Sequence, residues 1–330
     1  MNPEVARLTE LVQQEGSFIK SAQEEISKVV IGQRNMVDRI LMGFLTGGHV
    51  LLEGLPGLAK TLTVKSVAES LSVDFARVQF TPDLLPSDLT GTMIFNQKNG
   101  DFSPKKGPVF TNILLADEIN RAPAKVQAAL LECMGEKQVT IGDQTFKLDE
   151  PFLVLATQNP IEQEGTYPLP EAQMDRFMFK VEVGYPNRFE EMKILESQSG
   201  NEKAEITAVA GAAQILKARS ICQAIFIDQK VKDYILDIVF STREPKNHKG
   251  LAELSNLISI GASPRATISL AKAAKAKAFI EGRGFVTPDD VKSIAPDVMR
   301  HRLIMSFEAE AEEITPLTVI KKVLTTIPAP

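Results

Sequence analysis

Residues 54–61 read GLPGLAKT, placing Gly54 and Gly57 ahead of an adjacent lysine and threonine, Lys60 and Thr61. Glycines allow unusual backbone angles, the lysine brings a compact positive charge, and the threonine hydroxyl is a hard oxygen donor. Between a strand and a helix, this set suits a nucleoside triphosphate. Loop N–H groups and the helix N-terminus converge on phosphate, Lys60 bridges the β- and γ-phosphates, and Thr61 gives its hydroxyl oxygen to Mg²⁺. Leu58, Ala59 and Leu62 complete the cradle around these groups. One residue departs from the G-x-x-x-x-G-K-[S/T] spacing, because Ala59 stands where the second glycine belongs. With a negative φ it costs little; in the left-handed region it costs about 1–2 kcal/mol. Taken alone, the loop also reads as a chance glycine-rich turn with a surface lysine.

A second stretch narrows the choice. NILLADEIN (112–120) is an apolar strand ending in Asp117 and Glu118. Adjacent strand residues face opposite ways, so one carboxylate addresses the loop's Mg²⁺ and the next a water. A third stretch, FLVLATQN (152–159), ends in Gln158 and Asn159. The carboxyl ends of strands are where open α/β sheets bind ligands. Asn159 there reads either as the group that orients the attacking water or as a cap on the turn before Pro160.

These residues need a frame, and the chain supplies two kinds of sequence. Through about residue 185, short apolar runs alternate with helix-period segments: HVLLE (49–53), DFARVQF (74–80), NILLADE (112–118), PFLVLATQN (151–159) and MFKVEVGY (178–185). Such runs indicate parallel strands covered on both faces, hence an α/β nucleotide-binding core over residues 1–185 with helices flanking the sheet. After Pro186 only helical patterns follow, which predicts an all-α domain over 186–330. Thr287-Pro288 and Ser263-Pro264 are helix-start signals within it. Two hairpins interrupt the core. One is 138–148 around Gly142-Asp143, pairing Val139 with Phe146; the other is 92–103, with Asn99-Gly100 as a type I′ turn.

Composition excludes several classes. The net charge of −5, three tyrosines and absence of tryptophan give no footprint for nucleic acid. Cys133 and Cys222 have no metal-ligand spacing and read as buried apolar residues in a reducing compartment. His49, His248 and His301 are scattered and form no catalytic set. The first residues carry charges where a signal peptide needs an apolar run, and no span reaches membrane length, so a cytoplasmic setting is expected.

GLPGLAKT, NILLADEINRAP, LATQNP, LPEAQMDRF and GASPRA, in this order, resemble the motifs of an AAA+ ATPase, and the chain resembles the MoxR family over nearly its whole length. The resemblance includes the alanine before the lysine, so Ala59 reads as a family variant. It implies a P-loop NTPase core with a helical lid, an ATP- and Mg²⁺-dependent hydrolase, and a homo-oligomeric ring, expected to be a hexamer. It also implies that Val30, Ile31 and Gly32 read adenine and that Arg176 is an arginine finger reaching a neighbour's site, with Arg121 as the other candidate. Arg265 is implied as the lid arginine that touches the γ-phosphate. The hairpins match pore-facing inserts, beside which Lys105 and Lys106 read as a solvated pair; Lys272, Lys275 and Lys277 read as an exposed helix face. The implied work is chaperone-like remodelling or maturation of protein clients, including metal insertion, with a von Willebrand factor A-domain protein as partner. Two other readings keep the nucleotide site: a nucleic-acid-dependent motor, and a nucleotide-gated scaffold without turnover.

Overall fold

The fold is that of a computed structural model describing residues 3–98, 100–161, 165–199 and 204–330. Nine strands concern the site and its inserts: β1 (Val50–Glu53), β2 (Phe75–Gln79), β3 (Gly91–Asn96), β4 (Asp101–Lys106), β5 (Ile113–Asp117), β6 (Gln138–Ile141), β7 (Gln144–Lys147), β8 (Leu153–Gln158) and β9 (Phe179–Glu182). Five of them form one sheet in the order β2-β5-β8-β1-β9. Its interior pairs are parallel, with Val50 opposite Leu155, Ile113 opposite Leu153 and Phe75 opposite Ile113. β5 is buried throughout, and β1 and β8 are buried except at their last residues. That is why these strands are continuous apolar runs, whereas β2, lying outermost, is only partly covered. Leu51, Leu114, Ala116, Val154, Phe152 and Phe177 belong to one buried cluster on this sheet. Parallel register puts the ends of β1, β5 and β8 at one edge, and with them the 54–61 loop, Asp117 and Asn159.

Both hairpins form. β6 and β7 are antiparallel with Val139 opposite Phe146, and Gly142 has φ +61° at the turn. β3 and β4 pair from Gly91–Lys106 to Asn96–Asp101. The type I′ turn expected at Asn99-Gly100 rests on residue 99, which lies outside the described residues. Lys106 is not simply solvated: its Nζ stands 4.7 Å from the Phe110 ring centroid and 5.5 Å from that of Phe146.

Two compact units divide the chain. The described parts of Phe18–Phe177 and Val181–Leu216 make one; those of Met1–Ser17, Met178–Lys180 and Lys217–Pro330 make the other. The sequence reading placed one boundary near 185, and hydrogen bonds explain the difference. The Thr207 N–H donates to Glu25 Oε2 (3.0 Å) and the Val209 N–H to Ser70 O (2.8 Å), tying the segment after 203 into the α/β unit. In the helical unit, the Gly284 N–H donates to Thr9 Oγ1 (3.1 Å), and Lys217 pairs with Glu15 at 2.8 Å. Those bonds hold the first helix, Pro3–Glu15, in that unit.

The helical unit is built on strong start signals. Asp228, Ser263, Thr287, Ser306 and Thr315 each accept a backbone N–H from the following turn. Thr287 and Asp290 form a reciprocal capping box, and Asp290 also takes two bonds from Arg283, at 2.9 and 2.6 Å. Helix Pro264–Ile280 buries Ala266, Ala273, Ala274, Ala276 and Ala278, small residues that allow close approach. Its lysines divide: Lys272 is exposed, but Lys275 is half-buried and donates to Gln223 O (2.6 Å), and Lys277 binds Glu281 (2.6 Å). No helix among the described residues is long and apolar enough to cross a membrane.

Candidate functional site

At the carboxyl edge of the sheet a cleft of about 390 Å³ is lined by Pro56 to Leu62, Arg77, Gln79, Asp117, Glu118, Thr157 and Asn159. The 54–61 loop leads from β1 into helix Lys60–Ser70, whose N-terminus opens on this cleft. The two glycines do different jobs. Gly57 has φ +84°, and a Cβ built there would meet nothing within 4 Å, so its backbone is open to a ligand. Gly54 has no such angle; a Cβ there would lie 2.6 Å from Val183 O, so glycine is required for close backbone approach. Ala59 takes the left-handed conformation, φ 58° and ψ 19°. The methyl group is therefore accommodated with strain. Lys60 Nζ donates back to Gly54 O and to Leu55 O (3.3 Å), closing the loop on itself. Burial pushes the Lys60 ammonium below its ordinary pKa, opposed by the charges of Asp117 and Glu118.

Asp117 is 9% exposed, and donors engage both its carboxylate oxygens. Thr157 Oγ1 donates to Oδ1 (2.5 Å), while Arg77 Nε and Nη2 donate to Oδ2 (3.0 and 2.6 Å). Glu118, the next residue, has φ 56°. It is the second non-glycine residue of this cleft held in the left-handed region, where strain at functional sites collects. Its N–H donates to Thr157 Oγ1 (2.8 Å), and its Oε2 accepts from Gln79 Nε2 (2.8 Å) and lies 3.0 Å from Arg121 Nε. Thr157 thus sets both acidic residues at once.

Asn159 is 6% exposed, and its Oδ1 accepts the Ile161 N–H at 3.2 Å. The capping role is therefore real, and the side-chain amide nitrogen is the donor that remains for a ligand.

The cleft gathers Gly57, Leu58, Ala59, Lys60, Thr61, Leu62, Asp117, Glu118 and Asn159, with Gly54 at its root. Other expected residues stand outside its lining. Val30 is buried after helix Ser17–Ser27, Ile31 is half-buried, and Gly32 (φ +81°) packs against the Glu190 carboxylate. Arg176 follows helix Glu171–Met174 and donates from Nη1 to Leu131 O (2.8 Å). Arg121 is bound to its own chain's Glu118. Arg265 begins helix Pro264–Ile280 in the helical unit, with its N–H on Ser263 Oγ (3.2 Å). Sequence reasoning missed Arg77, Gln79 and Thr157. The signal for the first two was present: Arg77 and Gln79 alternate along β2 and so share one face.

The donor set suits Mg²⁺ with a triphosphate. Among the described residues no group of three His, Cys, Asp or Glu is placed to hold a metal ion. Mg²⁺ needs no such cage, being held by one or two carboxylate or hydroxyl oxygens together with phosphate. Asp117 and Thr61 bring oxygens of that kind to the cleft, and Gly57 and the helix N-terminus leave open backbone beside them.

Comparison with known proteins places this geometry. Residues 49–179 match the model of the ATPase family associated with various cellular activities (AAA), and residues 253–323 match the AAA lid domain. A crystal structure from Cytophaga hutchinsonii aligns with TM-score 0.92 and 49% identity over 99% of both chains. The Bacillus subtilis protein YeaC is 42% identical over 95% of both chains. Chaperone MoxR1 of Mycobacterium tuberculosis is 47% identical over 93% of this chain and 81% of its own length. A P-loop closed by its own lysine, an Asp-Glu pair at the end of β5 on the same sheet edge and this depth of similarity lead to one conclusion: the chain belongs to the MoxR family of AAA ATPases.

Proposed function

We propose that the chain hydrolyses ATP with Mg²⁺ at this cleft and works as a ring of identical subunits that remodels protein clients. The observation that carries the reading is the convergence of Lys60, Thr61, Asp117, Glu118 and Asn159 on one cleft beside a helix N-terminus. The 54–62 backbone and Lys60 hold the β- and γ-phosphates, and Asp117 and Thr61 hold the metal. When bound, Mg²⁺ neutralises charge that builds on the phosphates during transfer. Glu118 takes the proton of the attacking water, and Asn159 directs that water with its amide nitrogen. Val30, Ile31 and Gly32 read adenine, and Arg265 contacts the γ-phosphate from the helical unit.

Arg176 completes a neighbour's site. Neither arginine lines its own cleft, and one fact favours Arg176: Arg121 is paired with Glu118 of the same chain. The client work, in a cytoplasmic setting, is maturation of protein complexes, including metal insertion, with a von Willebrand factor A-domain protein as partner. The chaperone name of the mycobacterial relative supports the general class of that work.

The test is steady-state ATP turnover of Glu118→Gln, Arg176→Ala and their mixture. Each variant alone falls at least about 10³-fold, the scale of a lost trans arginine. The mixture regains part of the rate, since an intact Arg176 then meets an intact Glu118 at shared interfaces. Wild-type rates in both single variants would overturn the assignment.

A further inference from the structure

Arg77 has no place in the nucleotide chemistry described so far, yet it donates twice to one oxygen of Asp117. It lies on β2, where the register sets Gln79 opposite Asp117 and Arg77 opposite Leu115. From there its guanidinium reaches along the strand to Asp117 Oδ2, donating from Nε (3.0 Å) and Nη2 (2.6 Å). The same Nη2 donates to Gln79 Oε1 (3.0 Å). That bond fixes which end of the Gln79 amide faces which neighbour: with Oε1 on Arg77, Nε2 is turned to Glu118 Oε2, at 2.8 Å. One cation therefore contacts the metal-binding carboxylate directly and the water-activating carboxylate through one amide. The Arg77 side chain is 48% exposed, so it can swing away without opening a cavity.

We propose that Arg77 is a positioning residue that competes with the divalent cation for Asp117 and couples the occupancy of Asp117 to the restraint on Glu118. The inference rests on the reading of Asp117 as a metal ligand. A metal and a guanidinium cannot share Oδ2: both need its lone pairs, and the two positive charges repel across the carboxylate. Entry of the cation breaks two bonds to Asp117 and releases the Arg77 fork. With it goes the bond that orients Gln79, so one of the two restraints on Glu118 loosens when the metal is seated, while its contact with Arg121 remains.

The experiment titrates the full chain with Mn²⁺ alone, reading free Mn²⁺ by electron paramagnetic resonance. Circular dichroism checks that every variant is folded. Arg77→Ala binds Mn²⁺ about fivefold to tenfold more tightly than wild type, the effect of removing one charge-assisted pair discounted for its exposure. Arg77→Gln behaves likewise, and serves if the alanine variant fails to fold. Arg77→Lys, which keeps a charge but loses the fork, tightens by less than about threefold. Gln79→Ala stays within about twofold of wild type, because it removes no bond to Asp117. Asp117→Asn abolishes the site in each background. Equal Mn²⁺ affinity in wild type, Arg77→Ala and Arg77→Gln, with Asp117→Asn still abolishing binding, overturns the role of Arg77 and leaves the metal assignment standing. Binding that persists in Asp117→Asn removes the metal assignment itself, and the proposal with it.

Discussion

Ala59 offers a test in which the sign of a stability change reports a backbone angle. In the structure it sits at φ 58°, ψ 19°, immediately before helix Lys60–Ser70. A non-glycine residue there costs about 1–2 kcal/mol relative to its preferred regions. Replacing it with glycine removes that cost. Two smaller terms oppose the gain: the added freedom of glycine in the unfolded chain, about 0.5–1 kcal/mol, and part of one methyl group's burial, under about 0.8 kcal/mol. The net expectation for Ala59→Gly is neutral to about 1 kcal/mol more stable, a midpoint up to about 4 °C higher. Ala59→Val moves the other way, by about 2 kcal/mol or more, since a β-branched residue is nearly excluded from this region. The assay is urea or thermal unfolding of the nucleotide-free chain in EDTA. Were φ negative, the pattern would invert: glycine would lose about 0.5–1 kcal/mol and valine little more. Ala59→Gly clearly less stable than wild type, with Ala59→Val close to it, would refute the left-handed assignment and the strain inferred from it.

Other expectations follow from the same geometry. Gln79→Ala removes one of the two partners of the Glu118 carboxylate, and basal ATP turnover rises about fivefold, the equivalent of about 1 kcal/mol of net hydrogen bonding released before the carboxylate can serve water; an unchanged or lower rate counts against that restraint. Asp290→Ala deletes a capping box and leaves Arg283 without its bidentate partner, so denaturant unfolding of the chain loses about 2–4 kcal/mol. Cys133 and Cys222 are buried, and burial pushes their thiols up to about 11 and about 12. Both thus remain thiols at pH 8, and iodoacetamide labels neither in the folded chain, as mass spectrometry before and after unfolding will read; rapid labelling of either would contradict its packing.

The gathering of these residues at one cleft was legible because it is written in local pattern. Continuous apolar runs required β1, β5 and β8 to be covered on both faces, and polar residues at their ends had to meet at one sheet edge. The helix starts at Thr287 and Ser263 were equally local, each depending on a side chain and an N–H within one turn. Residue type does not disclose dihedral angle, so Ala59 stayed open, and Gly54 was credited with an angle when its actual constraint is the carbonyl of Val183.

Arg77, Gln79 and Thr157 were missed for a tertiary reason. Their roles depend on β2 and β8 flanking β5, and several doubly wound strand orders satisfy the same run of strands and helices. Once that order is known the residues become almost obligatory. Asp117 is nearly buried, and a carboxylate there needs donors from both sides. The register offers Thr157 on one neighbour, beside Asp117, and the alternating long polar pair of β2 on the other. An arginine two residues from the end of a half-covered edge strand therefore points to an acidic residue on the adjacent strand. In FARVQ the cation and the amide share a face and meet the acidic pair at the end of β5, the cation on Asp117 and the amide on Glu118 just beyond it.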